Sequence, residues 1–200
     1  MNRTDRRPTR RHTLAVLTAA AVISVLAACG DGTPTPAATP TTSLDPAAAA
    51  RQDAAFATAL FDHRHQALQL VGLAAQYATS SDLLQFTRSL QTTYDTQMRD
   101  LDSMLTAWAQ PVPHVEGHSD LGDTIPGLLD KTQLAGLRAA EGTAFDRKFL
   151  QILDAHEQAA EPLARQELTS GADPQAKALA KTVLDDIDTH RATIAQLTKK

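Results

Sequence analysis

Two histidines, His63 and His156, occupy matching places in two similar segments of the chain, 53–67 and 146–160. The segments share the pattern Asp-x-x-Phe-x-x-x-Leu-x-x-His at an offset of 93 residues, and such a repeat indicates a fold built from a doubled unit. On a helix, the Phe, Leu and His of each copy are spaced by four and three, so they lie on one face. If the copies pack about a pseudo-twofold axis, the imidazoles approach each other inside a bundle. Two interpretations are open: the rings ligate a metal ion, or each is a core histidine satisfied by a hydrogen bond.

Further candidate ligands lie in the segment 111–130. His114 and His118 are four residues apart there, close to three acidic residues, and imidazole with carboxylate groups suits zinc or copper(II). The alternative is a solvated polar loop, because prolines and glycines interrupt the segment. His190 follows Asp186 by about one helical turn, and we expect these two to form a surface pair.

The sequence lacks the motifs of common enzyme classes. A di-iron centre in a helical bundle needs Glu-x-x-His on two helices, and no Glu-x-x-His occurs in the chain. There is also no glycine-rich phosphate loop, nucleophile elbow or zinc-protease helix motif. We therefore expect a protein that is not an enzyme, and an oxidoreductase with a di-metal centre is the least supported alternative.

The first 28 residues have the form of an export signal. Five arginines precede an apolar run, Leu14 to Ala28, that is short for a permanent membrane span. The run ends in Leu-Ala-Ala followed by Cys29, which resembles a bacterial lipobox, where the cysteine becomes the lipidated N-terminus. We predict a lipoprotein signal peptide over residues 1–28, lipidation of Cys29 and anchoring to the cell membrane. Paired arginines in the basic head also resemble a twin-arginine signal, so both that route and the general secretory route stay open.

The predicted mature chain is acidic. Loss of residues 1–28 removes five arginines and one aspartate from 19 basic and 23 acidic residues, which leaves a net charge of −8. This charge argues against a nucleic-acid partner, which requires clustered positive charge. Cys29 is the single cysteine, so the mature domain has no internal disulfide. The Thr-, Pro- and Ala-rich residues 29–45 are predicted to be a disordered tether.

The sequence after the tether predicts helices. Asp-Pro pairs at 45–46 and 173–174 each provide an N-cap followed by proline in the first turn. Apolar residues recur at intervals of three and four between the breakers. A short helix capped by Thr132 is expected after the loop.

The predicted architecture follows from the helices and their connections. We predict an all-α domain over residues 46–200: a ferritin-like four-helix bundle. It consists of two repeated helical hairpins, about 46–110 and 131–200, joined by a long crossover loop. The predicted mature length suits one domain.

Three stretches resemble the family known as domain of unknown function 305 (DUF305). They are Phe56-x6-His63-x2-Gln66-Ala67, Trp108-Ala-Gln-Pro111-Val-Pro113 and Ile125-Pro126-Gly127-Leu128-Leu129. Spaced Leu, Gly and Phe positions between Gln133 and Leu150 continue the resemblance, which covers roughly residues 50–198. The resemblance implies an exported, ferritin-like helical bundle, and some members of the family are linked to copper binding.

Only part of the family's metal-binding pattern is present. That pattern has a His-His pair after the phenylalanine in each half; here Arg64 and Glu157 replace the second histidine of each pair. Apolar residues stand where the family has methionines: Leu60, Leu70, Ile125, Leu128, Leu129 and Leu153. Copper(I) favours soft thioether ligands, so the resemblance implies a branch that kept the packing and lost much of the soft-metal chemistry. If the halves face each other, Arg64 and Glu157 would form an inter-repeat ion pair with bidentate geometry; the alternative is two unrelated surface charges.

These observations predict a membrane-anchored envelope lipoprotein that is not an enzyme. In the first interpretation its bundle binds copper or zinc at His63 and His156, with His114 and His118 as an auxiliary loop site. In the alternative, the domain is a structural or interaction module that has lost metal binding and presents its surface to another envelope protein.

Overall fold

The structure of the protein, a computed structural model, describes residues 45–113 and 127–199. Within these ranges the chain forms five helices and no strand, which confirms the all-α prediction. The helices are α1 (Pro46–Tyr77), α2 (Ser81–Ala107), α3 (Lys131–Arg138), α4 (Gly142–Ser170) and α5 (Pro174–Leu197). In this part of the chain, no helix is both long enough and apolar enough to cross a membrane. The predicted signal peptide and most of the predicted tether lie outside the described residues.

Side-chain caps fix where three of the long helices begin. Asp45, Ser80 and Asp173 each accept hydrogen bonds from backbone amides in the first turn of α1, α2 and α5. Such caps satisfy amides that have no partner inside the helix. Proline occupies the first turn of α1 and α5, where its missing N–H costs no hydrogen bond. The two Asp-Pro starts predicted from the sequence are confirmed.

The short helix α3 begins differently from the prediction. Its cap is Asp130, which accepts a hydrogen bond from the Gln133 amide at 2.7 Å. The Gln133 side chain in turn accepts from the Asp130 amide at 2.9 Å. The prediction that Thr132 caps this helix was wrong, because this reciprocal capping box satisfies two amides and sets the start two residues earlier.

The long helices form two hairpins that repeat one another. α1 and α2 are joined through residues 78–80, and α4 and α5 through residues 171–173. The hairpins meet chiefly along α1 and α4, while α2 and α5 make a smaller contact. Because corresponding positions are 93 residues apart in sequence, α1 matches α4 and α2 matches α5. This arrangement confirms the predicted helical bundle.

Two repeat-related aspartates tie each hairpin to the turn of the other. Asp146 on α4 accepts hydrogen bonds from the amides of Thr79 and Ser80, both at 3.0 Å, and from the Thr79 hydroxyl at 2.7 Å. Asp53 on α1 accepts from the amides of residues 172 and 173 at 2.8 and 3.1 Å. Each carboxylate therefore satisfies the start of the second helix in the opposite half.

A polar layer separates two apolar clusters in the bundle core. On α1, residues 56–61 belong to one cluster and residues 67–74 to the other. On α4 the order is the reverse: residues 145–153 belong to the same cluster as 67–74, and residues 160–164 to the same cluster as 56–61. The buried residues between the clusters are polar or charged on both helices. The repeat therefore brings two sets of polar side chains to the same level of the core.

Candidate functional site

α1 and α4 bring His63 and His156 into direct contact within the polar layer. The ring centroids are 3.9 Å apart, the ring planes are inclined by 42°, and both side chains are buried. Phe56 and Phe149, seven residues before the histidines, are buried on the same helix faces. Their burial fixes the rotation of each helix about its axis, and the imidazoles consequently face each other.

None of the four ring nitrogens of this imidazole pair has a hydrogen-bond partner within the described residues. Burial is the main cause that lowers the pKa of His63 well below its usual value and that of His156 to about 4. The facing ring of His156 and the Arg64 charge lower the pKa of His63 further. The nearby backbone of His156 opposes this change slightly. The Glu157 charge opposes the lowering in His156. Both rings are therefore neutral near pH 7, the form that binds metals.

The residues that follow the two histidines form a buried ion pair. Arg64 Nη1 lies 3.7 Å from Glu157 Oε1, and neither side chain has exposed surface. Burial raises the pKa of Glu157, but Arg64 and the hydrogen bonds from His190 and Tyr94 outweigh it and lower the pKa to about 2. The predicted bidentate geometry is wrong because the carboxylate oxygens are engaged elsewhere. The Tyr94 hydroxyl donates to Oε1, and His190 Nδ1 lies 3.4 Å from Oε2.

Arg64 extends this polar layer to α2 and, through Gln97, to α5 of the second hairpin. Its Nε donates to Gln97 Oε1 at 2.6 Å, and Gln97 Nε2 donates to Asp186 Oδ2 at 2.8 Å. The guanidinium carbon lies 5.0 Å from the centroid of the Tyr94 ring, which gives a cation–π contact. Neither terminal nitrogen of Arg64 donates a hydrogen bond within the described part of the chain.

The prediction of a surface pair between His190 and Asp186 was wrong. His190 is buried, with 7% of its surface exposed, and contacts Glu157 instead. Gln97 and His190 are 93 residues apart, the same offset that relates Arg64 and Glu157. In each half, the residue after the histidine therefore contacts the same position of the second helix: Arg64 contacts Gln97 on α2, and Glu157 contacts His190 on α5. Extending the 93-residue repeat from α1 and α4 to α2 and α5 would have identified Gln97 and His190 as matching residues from the sequence.

Two openings flank the polar layer. A cleft of about 650 Å³ lies between the segment 127–129, α3 and α4, and His156 is one of its lining residues. A groove of about 630 Å³ lies between α2 and α5, where Gln97 and Asp186 are joined by hydroxyl-bearing and acidic side chains. The cleft adjoins the imidazole pair, whereas the groove adjoins the side chains that hold Arg64.

The other predicted site residues are not in the described part of the chain. His114 and His118, the proposed auxiliary ligands, and Cys29, the proposed lipidation site, lie outside it. Within residues 45–113 and 127–199, no group of three or more His, Cys, Asp and Glu side chains is arranged to hold a metal ion. The imidazole pair is an arrangement of two donors.

The family described as Domain of unknown function (DUF305) matches the chain over residues 53–199. The chain belongs to the DUF305 family. No curated protein matches it.

Solved structures share the DUF305 fold of this chain. A DUF305 fragment from Deinococcus radiodurans has a TM-score of 0.67 at 22% identity, over 76% of this chain and 97% of that one. A DUF305 protein from Streptomyces coelicolor that is described as secreted has a TM-score of 0.65 at 18% identity, over 73% and 91%. CopM in its Cu(II)-bound form has a TM-score of 0.61 at 19% identity, over 74% and 95%. These likenesses show the fold.

The imidazole pair of this DUF305 bundle suits a metal ion in its donors but not in its present spacing. Metal–nitrogen bonds of about 2.0 Å on opposite sides of one ion would separate the ring centroids by roughly 6 Å. The observed separation is 3.9 Å. An ion between the rings therefore requires both side chains to turn apart.

Proposed function

We propose that this protein binds a copper(I) ion between His63 and His156. The observation that carries the proposal is the contact of two buried imidazoles whose four nitrogens have no hydrogen-bond partner within the described residues. A buried polar group without a partner lowers stability by about 1–3 kcal/mol, and a bound ion would supply the missing interaction. The likeness to CopM, a protein with a Cu(II)-bound structure, supports copper as the ion.

The number of donors favours copper(I) over zinc. Structural zinc sites take four ligands in a tetrahedron, whereas two opposed nitrogen donors satisfy a two-coordinate copper(I) ion. Imidazole is a suitable ligand for copper. Arg64 places a positive charge beside the rings, but Glu157 pairs with it, so the net charge next to an incoming cation is small.

We propose an extracytoplasmic location and attachment to the cell membrane through lipidated Cys29. The basic head, the apolar run and the Leu-Ala-Ala-Cys sequence support this location. The Streptomyces coelicolor protein described as secreted also supports it. The proposed role is to bind and hold an ion, and no catalytic step is proposed.

A competition titration with copper(I) under anaerobic conditions tests the metal site. We expect one ion per chain with a Kd tighter than about 10 μM, a binding free energy near −7 kcal/mol. His63→Leu and His156→Leu should each weaken binding by more than about 100-fold, the upper end of what loss of an outer-shell partner alone costs. His65→Leu is the matched control, because a residue two positions from His63 on a helix points about 200° away.

Stability measurements separate loss of the ligand from loss of the fold. In the metal-free protein, the two leucine variants should be at least as stable as the wild type, because leucine removes buried nitrogens that have no partner. Copper affinities that are equal in the wild type and in both variants would refute the site. That result would favour the second candidate, an interaction module of the envelope.

The groove between α2 and α5 is the observation that favours this second candidate. The long helices pack closely along α1 and α4 but less so along α2 and α5. The groove presents threonine hydroxyls and carboxylates, a surface that suits a polar partner better than the interior of a bundle.

A further inference from the structure

The segment 127–129 contacts α1 and α4 about one turn beyond the imidazole pair. One attachment is Gln66, whose Nε2 donates to Leu129 O at 2.8 Å and whose Oε1 accepts from Leu129 N at 2.7 Å. The other attachment is Ala159, which Gly127 approaches so closely that a Cβ on the glycine would overlap it. Gly127 also has a φ of 87°, which glycine adopts without strain.

The two attachments are equivalent positions of the repeat. Gln66 and Ala159 are 93 residues apart, and each follows a member of the imidazole pair by three residues. Residues three apart on a helix lie on the same face. The segment therefore joins the two halves beside the imidazole pair, through an amide side chain on α1 and a small residue on α4.

The cleft beside this segment leads to His156. Its lining includes the segment itself, Ile152 and His156, with the exposed side chains of Gln133 and Lys148. His156 lines the cleft although only 1% of its surface is exposed, so the residues around the cleft, the segment among them, cover the ring. The segment is held by Gln66, by the close approach of Gly127 to Ala159 and by the burial of Leu128 and Leu129, and its displacement would open the cleft.

We propose that the segment 127–129 is a strap that closes the imidazole pair, and that a ligand reaches His156 through the cleft when the strap lifts. Lifting also frees the space that the rings need to turn apart from their contact at 3.9 Å. The identity of the ligand as copper(I) rests on the proposed function. The strap rests on its contacts with Gln66 and Ala159.

Acylation of histidine by diethylpyrocarbonate tests the strap without a metal, because the reagent attacks neutral imidazole nitrogen. Gln66→Met keeps the side-chain volume and removes both hydrogen bonds to Leu129. We expect acylation of His156, measured by peptide mass spectrometry, to become about ten-fold faster, since hydrogen bonds of this kind set the population of locally open states. Acylation of His63, which is not among the residues that line the cleft, should accelerate much less.

Two further variants keep this test decisive. Gly127→Ala, which disturbs the second attachment, should also accelerate acylation of His156. Thr87→Ala removes a hydrogen bond made within α2 and should leave both rates within about two-fold of the wild type, because its effect on global opening is small. Equal acceleration of both histidines in folded Gln66→Met, or no acceleration at His156 in either strap variant, would overturn the proposal.

Copper uptake distinguishes the strap from the metal site. In stopped-flow transfer of copper(I) from a chelator, Gln66→Met should take up the ion several-fold faster than the wild type, with an equilibrium affinity changed by less than about three-fold. Equal uptake rates would overturn the strap as the route of the ion. If the wild type binds no copper(I), the proposed function fails, and the acylation rates alone still decide whether the strap controls access.

Discussion

Among single residues, Arg64 and Glu157 set the electrostatics of the polar layer. Both are fully buried, and Glu157 is surrounded by Arg64, Tyr94 and His190. A buried ion pair gains little over apolar residues of the same volume, but removing one partner leaves an uncompensated charge. The pair therefore holds the two halves together only while both members are present.

A double-mutant cycle tests this dependence. Arg64→Met and Glu157→Gln should each lower the free energy of unfolding by roughly 3–5 kcal/mol, as expected for an uncompensated buried charge. The double variant should lose clearly less than the sum, because neither charge then remains unpaired. Urea denaturation at pH 7 measures the three values. Strict additivity would show that the two charges do not depend on each other.

The sequence predicted the histidine contact better than its surroundings. The spacing of Phe56, Leu60 and His63 fixes a helix face, and the repeat supplies the facing residues, so the imidazole contact follows from the pattern. The same local rules failed for His190, because a charged residue one turn away is equally consistent with a surface pair and with a buried polar layer. What decides is the carboxylate of Glu157, which comes from another helix and is invisible to spacing within α5.

At the level of helices, the two carboxylates that bind the opposite turns determine how the hairpins dock. Asp146 accepts three hydrogen bonds at the start of α2, and Asp53 accepts two at the start of α5. Hydrogen bonds to charged groups contribute a net of about 1.5–3 kcal/mol each to stability. Loss of Asp146 should therefore detach the start of α2 from the opposite hairpin, and loss of Asp53 should detach the start of α5.

Asp146→Ala should lower the free energy of unfolding by roughly 3 kcal/mol, and Asp53→Ala by less, since Asp53 accepts fewer hydrogen bonds. Hydrogen exchange should show the first loss of protection at residues 79–83 in Asp146→Ala and at residues 172–176 in Asp53→Ala. Asp154→Ala, which removes an aspartate that is partly exposed on α4, is the control for loss of a carboxylate. Uniform loss of protection across both hairpins would contradict the local role.

The same helices show which boundaries the sequence could supply. Asp-Pro starts are local signals, and both were correct. The start of α3 depends on a choice between Asp130 and Thr132, and the deciding residue is Gln133, which completes the capping box with Asp130 alone. The reciprocal role of Asp53 and Asp146 required a tertiary contact. The repeat placed these two residues in register but gave no indication of their partners.

In the molecule as a whole, a second buried acidic residue, Glu167, has a pKa shifted in the direction opposite to that of the imidazole pair. Glu167 lies against Asp53, and burial, followed by the neighbouring Asp53 carboxylate, raises its pKa to about 7. Gln52 and Lys177 oppose this rise. A Cβ on Gly171 would overlap the Glu167 carboxylate. The absence of a side chain at Gly171 therefore provides the space in which the two carboxyl groups meet.

The two sites give stability a pH dependence of opposite sign. The folded pKa of Glu167 lies above its unfolded value, so its contribution is complete below about pH 4.5 and is lost as the pH rises towards about 7. The folded pKa values of His63 and His156 lie below the unfolded value, so keeping these rings neutral costs nothing above about pH 6.5 and costs progressively more on acidification. Each group changes the free energy of unfolding by about 1.4 kcal/mol per pH unit within its window.

Between pH 5 and pH 6 the two histidines should outweigh the single glutamate, and the wild type should lose about 1.4 kcal/mol of stability per pH unit on acidification. Glu167→Gln removes the opposing group, so its slope should be about twice as steep. The double variant His63→Leu/His156→Leu should instead gain stability as the pH falls, because only Glu167 then titrates in this window. Urea denaturation at pH 5, 5.5 and 6 measures the three slopes.

Two outcomes would contradict these assignments. Parallel curves for the wild type and Glu167→Gln would show that Glu167 does not stay protonated in the folded protein. An unchanged slope in the double variant would show that the imidazole pair is not held neutral.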